Sequence, residues 1–200
     1  MAYRIIANLQ QTKWACSIGA DFFSSKSHAR LALGAPLDES DLTAWSNVTV
    51  TLSTSQKATP PLNDFIGGNP FYLSQRAVDL FKLYSNEAHC FIPVKAIFEV
   101  TGLDAGLRYA LYVPAGVNFI DYEQTLFARG SQLSEPSRGI EAGRSSGFRT
   151  APMNRIIIKA SAIRGLHLWR NVEMQDGGLY ISDELFRAMQ TAGITGVTFE

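Results

Sequence analysis

Residues 71–113 read FYLSQRAVDLFKLYSNEAHCFIPVKAIFEVTGLDAGLRYALYV, and this stretch decides the fold class. Leu73 leads into Ser74, whose hydroxyl can satisfy a free amide of a first helical turn. Val78, Phe81 and Leu80/Tyr84 then fall at helical spacing, which predicts an amphipathic helix over about 74–85. Cys90–Val100 and Arg108–Val113 are apolar runs bracketing a turn with Gly102 and Gly106, so 90–113 reads as a hairpin.

Downstream, Arg155–Ile163 is β-branched and reads as a strand, and Leu166–Arg170 as a shorter one. Leu179-Tyr180-Ile181-Ser182 then runs into a helix over 183–192, and Gly196-Val197-Thr198-Phe199 closes the chain as a strand. This unit echoes the one at 71–91: an extended segment, a serine cap, a helix, a strand. The simpler reading is one good way of starting a helix, used twice. Upstream, Tyr3–Leu9 and Asn47–Ser53 read as strands, with a turn at 37–42 between them. Ser53–Pro61 is polar and ends in Pro-Pro, a linker or long loop. It divides the chain into a strand-rich region, 1–58, as a candidate subdomain, and an α+β domain over 59–200. The long-helix alternation of a doubly wound sheet is missing. The expected class is α+β, with a mixed, mainly antiparallel sheet and two principal helices, about 74–85 and 183–192.

Composition narrows the function classes. The 200 residues are 46% hydrophobic and 18% charged, so a real core is available and disorder is excluded. Eighteen basic residues balance eighteen acidic ones. A general nucleic-acid or membrane-surface binder would carry a basic surplus, and a mimic of DNA an acidic one. Met1–Gln10 lacks the basic start and apolar length of a signal peptide, and no run reaches the ~18–20 apolar residues of a membrane span. A cytoplasmic protein is expected, with Cys16 and Cys90 as reduced thiols.

No catalytic chemistry is legible. His28, His89 and His167 are isolated, and neither HExxH nor paired CxxC occurs, so no metal or other cofactor is expected. Gly67-Gly68-Asn69-Pro70 is a turn and cannot open a phosphate-binding helix in the usual way. Gly143-Arg144-Ser145-Ser146-Gly147 matches GxSxG, but no buried strand precedes it and no acid lies between Ser145 and His167. It reads as part of a Gly/Ser/Arg-rich loop over 129–155. Asp64, Asp121 and Glu123 could form a carboxylate pair for glycosidic acid/base work. Capping a turn or pairing with an arginine, for which Arg170 is a candidate, is the commoner role. Trp14, Trp45 and Trp169 lack interleaved basic residues and read as packing.

The order of short elements then tells more than any motif. Pro61-Leu62-Asn63-Asp64, Tyr72-Leu73-Ser74 before a helix, and Phe91-Ile92-Pro93-Val94 resemble the signature of a bacterial immunity-protein family. That family, immunity family eleven, belongs to polymorphic toxin loci. The resemblance continues through Tyr109–Tyr112, Phe119–Asp121, Leu168–Arg170, Tyr180–Ser182 and Gly196–Phe199, covering about 60–200. It implies a protein that binds a cognate toxin, often a secreted effector passed between bacteria, rather than a catalyst. Asp38-Glu39-Ser40-Asp41 with Trp45 offers charge beside an aromatic anchor for such a contact. Arg138 and Arg144, in the Arg-rich loop, offer the opposite charge. Asp64, Ser74, Asp121 and Arg170 are expected to hold the scaffold. A carboxylate-pair hydrolase, a factor reversing a toxin's modification, and a non-catalytic adaptor are the competing readings. Monomer and homodimer both stay open.

Overall fold

The computed structural model describes residues 2–7, 14–54, 61–67, 69–85, 88–121, 124, 157–171 and 178–199. The predicted hairpin is its longest pairing: β6 (Cys90–Phe98) and β7 (Asp104–Tyr112), in register from Cys90 opposite Tyr112. Around it forms a six-stranded sheet, in the order β2-β3-β6-β7-β5-β4, with β2 (Ala15–Ser17), β3 (Thr49–Ser53), β4 (Phe65–Ile66) and β5 (Tyr72–Leu73). β3 pairs with β6 only from Lys95 onward. Pro93, which has no amide to donate, therefore sits where β6 lacks that second neighbour.

A second, five-stranded sheet runs β11-β1-β10-β9-β8. Its members are β1 (Ala2–Ala7), β8 (Ala115–Val117), β9 (Leu168–Asn171), β10 (Leu179–Ser182) and β11 (Val197–Phe199). Only β3–β6 and β8–β9 run parallel among the described pairings. The chain is α+β, with two mostly antiparallel sheets.

Strand alternation sorts side chains between three apolar clusters. Leu73 and Leu111 point into a central cluster shared with Leu168, Leu179 and Ile181 of the other sheet, while their neighbours Tyr72, Ala110 and Tyr112 face a second cluster. Trp169 and Tyr180 turn the opposite way, onto Phe119 and Ile120. Strands buried on both faces read as unbroken apolar runs, which is how they look in sequence.

The two expected helices are α4 (Gln75–Lys82) and α5 (Asp183–Thr191), and both feed the central cluster through Val78, Phe81, Leu185 and Met189. Ser74 and Ser182 cap them in nearly the same backbone geometry, φ −70° and ψ 162° against φ −71° and ψ 161°. Each serine hydroxyl accepts an amide three residues on, from Ala77 and from Leu185. The repeated sequence unit thus produces a repeated local structure.

Three readings are corrected. Region 1–58 carries three helices beside its strands: α1 (Ala20–Phe23), α2 (Lys26–Leu33) and α3 (Glu39–Ser46). They are short, and their apolar faces are interrupted by His28 and Asp41, which weakens the periodicity. The turn at 37–42 is the start of α3, because Asp38 and Asp41 form a reciprocal cap with each other's amides. Of the expected strand 155–163, residues 157–163 are described: Ile158 makes a single bridge to Ile120, and hydrogen-bonded turns follow. The strands of region 1–58 are shared between both sheets, β1 pairing with β10 and β11 and β3 with β6.

One glycine joins β4 to the C-terminal segment. Gly196 has φ +93°, and a Cβ there would lie 2.1 Å from the Phe65 carbonyl oxygen. Backbone cannot yield as a side chain can. Gly196→Ala is expected to lose at least about 3 kcal/mol of stability, or to fail to fold, as read by urea unfolding.

Candidate functional site

Asp64 opens the chain into β4 and is only 7% exposed. Its carboxylate accepts from Ser74 Oγ at 2.7 Å, Arg76 Nε at 3.1 Å, and the Thr195 amide and hydroxyl at 3.0 Å each. Arg76 Nη2 adds a further short charged contact. The same guanidinium donates to the carbonyls of Ala192 and Gly193, just past the end of α5. Burial would raise the Asp64 carboxyl, but the donors from Arg76, Ser74 and Thr195 outweigh it and hold the pKa at about 2. An acid this stabilised as its anion holds no proton to give near neutrality. Arg108, also buried, donates to the Asn63 carbonyl at 2.8 Å.

The structure brings Asp64 and Ser74 together and keeps the other expected scaffold residues elsewhere. Asp121 accepts from the Gln124 amide at 3.2 Å and its side-chain nitrogen at 3.0 Å, a local turn cap. Arg170 is buried and donates to the Ala32 carbonyl, linking β9 to α2; the guanidinium on Asp64 is Arg76. Thr195 is not legible in the sequence because its contact spans 131 residues, and Arg76, 12 residues from Asp64, has no pattern that singles it out as the partner. Glu123 and the 143–147 motif lie outside the described residues, as do Arg138 and Arg144.

The acidic start of α3 divides into surface and interior. Asp38 and Glu39 are exposed. Hydrogen bonds from Ser40, the Asp41 amide and Arg30 pull the Asp38 pKa down to about 2. Asp41 is buried, accepting from Ser27 Oγ at 2.6 Å and Arg30 Nη1 at 2.6 Å. Trp45 is 0% exposed, donates to the Ser27 carbonyl and packs against Phe22 and His28. Trp45 and Asp41 are thus buried supports of this layer of the fold.

Two clefts flank the segment before β9. One, of about 530 Å³, is bounded by Ile163, Leu166, Trp169, Glu184 and Arg187 at the start of α5. A smaller one of about 140 Å³ continues past His167 to Tyr84 and His89. His167 Nδ1 lies 3.0 Å from Ser182 Oγ and 3.7 Å from a Glu184 oxygen. Elsewhere, Val100, 87% exposed, with Leu103 and Leu107, makes the turn end of the β6–β7 hairpin apolar. No group of three or more metal-ligating side chains is found among the described residues. No described helix is long and apolar enough to cross a membrane.

A family model for an immunity protein family (Imm11) matches residues 11–200. The match takes in α1–α3, which the sequence resemblance from residue 60 leaves out. No curated protein matches the chain.

Three substitutions separate scaffold from surface. Because the Asp64 pKa in the fold lies below its ordinary 3.8, its contribution of about 2 kcal/mol is complete above pH 3.8. It is lost as pH falls through about 2. Asp64→Asn is expected to lose about 2 kcal/mol at pH 7 and to flatten that acid slope, measured by urea unfolding across pH. Trp45→Ala is expected to lose about 3–5 kcal/mol. Glu39→Lys is expected to stay within about 0.5 kcal/mol of wild type in the same assay.

Proposed function

The chain belongs to the immunity protein family (Imm11), whose membership implies a toxin-neutralising role, and from that premise we propose that it works by stoichiometric binding of one cognate protein toxin. The extent of the family match carries this reading. Immunity proteins are typically not enzymes, and the chemistry around Asp64 agrees with binding: its carboxylate is committed to holding segments together. No observation favours the carboxylate-pair hydrolase, since Asp64 and Asp121 share no partner among the described residues.

The toxin is a secreted antibacterial effector, and it is blocked at its active site or at a surface it needs. Protection of a cell requires nanomolar binding or better, about −12 kcal/mol, which an ordinary interface of about 1,600 Å² can supply. With net charge zero, complementarity has to come from local patches. Asp38 and Glu39 are proposed as contacts on one such patch, with Arg138 and Arg144 as basic contacts on composition alone. The protein acts in the cytoplasm of the cell it protects.

Co-expression with the toxin encoded in the same locus is expected to restore growth, with the two proteins co-eluting from a sizing column. Growth restored without any complex, with the toxin chemically altered, overturns the binding reading. Within the complex, Glu39→Lys is expected to weaken affinity about tenfold, measured by calorimetry.

A further inference from the structure

Another cleft, of about 400 Å³, is lined by β2 and by the turn joining β4 to β5. Trp14, Phe23 and Tyr72 give it aromatic walls, and Cys16 and His28 also line it. No acid, lysine or arginine is among its described lining residues. A charged occupant would lose water there without gaining a counter-ion. The cleft therefore suits a neutral ring.

Two of its polar groups are spare. Tyr72 is 3% exposed and His28 7%. Neither the Tyr72 hydroxyl nor a ring nitrogen of His28 has a hydrogen-bond partner among the described residues. Neither group is wholly sealed from solvent. Each therefore reaches open space, and the described cleft that both residues border is this one. Buried polar groups are almost always satisfied, and two exceptions in one cleft mark a place that a ligand completes. The indole N–H of Trp14, by contrast, already donates to the Pro61 carbonyl at 3.3 Å, so that residue offers apolar surface.

The spare groups say what kind of ring fits. Burial lowers the His28 pKa, so near neutrality its imidazole is uncharged, with one nitrogen donating and one accepting. Phe23 and Trp45 hold that ring, at centroid distances of 4.7 and 5.9 Å. Burial also keeps the Tyr72 phenol protonated, able to donate and accept. A group that satisfies both has to donate and accept. A phenol does; an indole N–H only donates, and a phenyl ring does neither. A side-chain amide does both but has no ring to set against Trp14 and Phe23. The rim says where the ring comes from. Phe23 is 61% exposed. A free phenol would leave that apolar rim in water, whereas a docking protein surface covers it.

Building on the immunity reading above, we propose that this cleft receives a tyrosine side chain of the cognate toxin. Its hydroxyl exchanges hydrogen bonds with the Tyr72 and His28 groups that the free chain leaves unfilled, and its ring packs against Trp14 and Phe23. An aromatic anchor in a desolvated pocket is the common form of a binding hot spot.

The test uses the full chain and the toxin encoded in the same locus, with calorimetry for affinity. Tyr72→Phe removes a hydroxyl that holds nothing in the free chain. Its urea midpoint is expected to match wild type, while its Kd for the toxin rises at least fivefold. A lowered midpoint would show the hydroxyl bonded within the fold and would overturn the proposal. Phe23→Ser at the exposed rim is also expected to raise Kd at least fivefold, and Val100→Ser, on the β6–β7 turn, to stay within twofold. One Tyr→Phe variant of the toxin is expected to lose affinity for wild type and to lose nothing further against Tyr72→Phe. If affinity falls but no toxin tyrosine couples to Tyr72 in this way, the occupant is not a tyrosine. If wild type binds while Tyr72→Phe and Phe23→Ser both bind within twofold of it, the cleft is not the contact and the immunity reading stands. If wild type does not bind the toxin at all, the immunity reading fails and the cleft assignment falls with it.

Discussion

The fold turns on one buried carboxylate. Asp64 draws together the entry to β4, the cap of α4 10 residues on, and the segment between α5 and β11, 131 residues away. Arg76 extends the junction to the carbonyls at the end of α5. A buried anion is tolerable only when its lone pairs are filled, and here both oxygens are engaged. Removing one donor would leave a desolvated charge under-satisfied. The Thr195–Asp64 contacts, the Phe65–Thr195 backbone bond and the close approach of Gly196 to Phe65 all lie on this junction. It therefore fixes how the C-terminal helix and strand sit against the six-stranded sheet, and with them the cleft at the start of α5.

Much of that architecture could be read from the chain. Strands buried on both faces show as apolar runs, and a serine before an amphipathic stretch marks a helix start; hence the hairpin, α4 and α5 were legible, although β7 starts at Asp104 rather than Arg108 and α4 ends at Lys82. The layer from Ala20 to Ser46 was not. Its helices are short, and its buried positions include His28 and Asp41, so the apolar stripe breaks where a polar residue is satisfied by tertiary contacts. The acidic run at 38–41 read as a solvated turn because the reciprocal cap between two aspartates looks like charge rather than structure. Trp45 is ambiguous in the same way: an aromatic beside charges suits an interface as well as a core, and the structure shows it buried.

Of the candidate site, the sequence offered residue types without their neighbours. It picked out Asp64 and Ser74, whose contact is local enough to be suspected. It could not supply Arg76 or Thr195, because electrostatic partners chosen by tertiary folding have no period. Nor could it distinguish Trp169 from the other indoles; that difference is the absence of an acceptor among the described residues. On the binding reading proposed above, this division is expected. Scaffold chemistry leaves strong local patterns, whereas a binding surface needs only shape and a few uncompensated groups.

The central claim is that neutralisation is a matter of occupancy, with no turnover by this chain. Titrating a fixed amount of active toxin with increasing protein measures that directly. Residual toxin activity is expected to fall in a straight line and reach zero at a fixed molar ratio near equivalence. Complete loss of activity at a small fraction of equivalence, deepening with time of incubation, would contradict it.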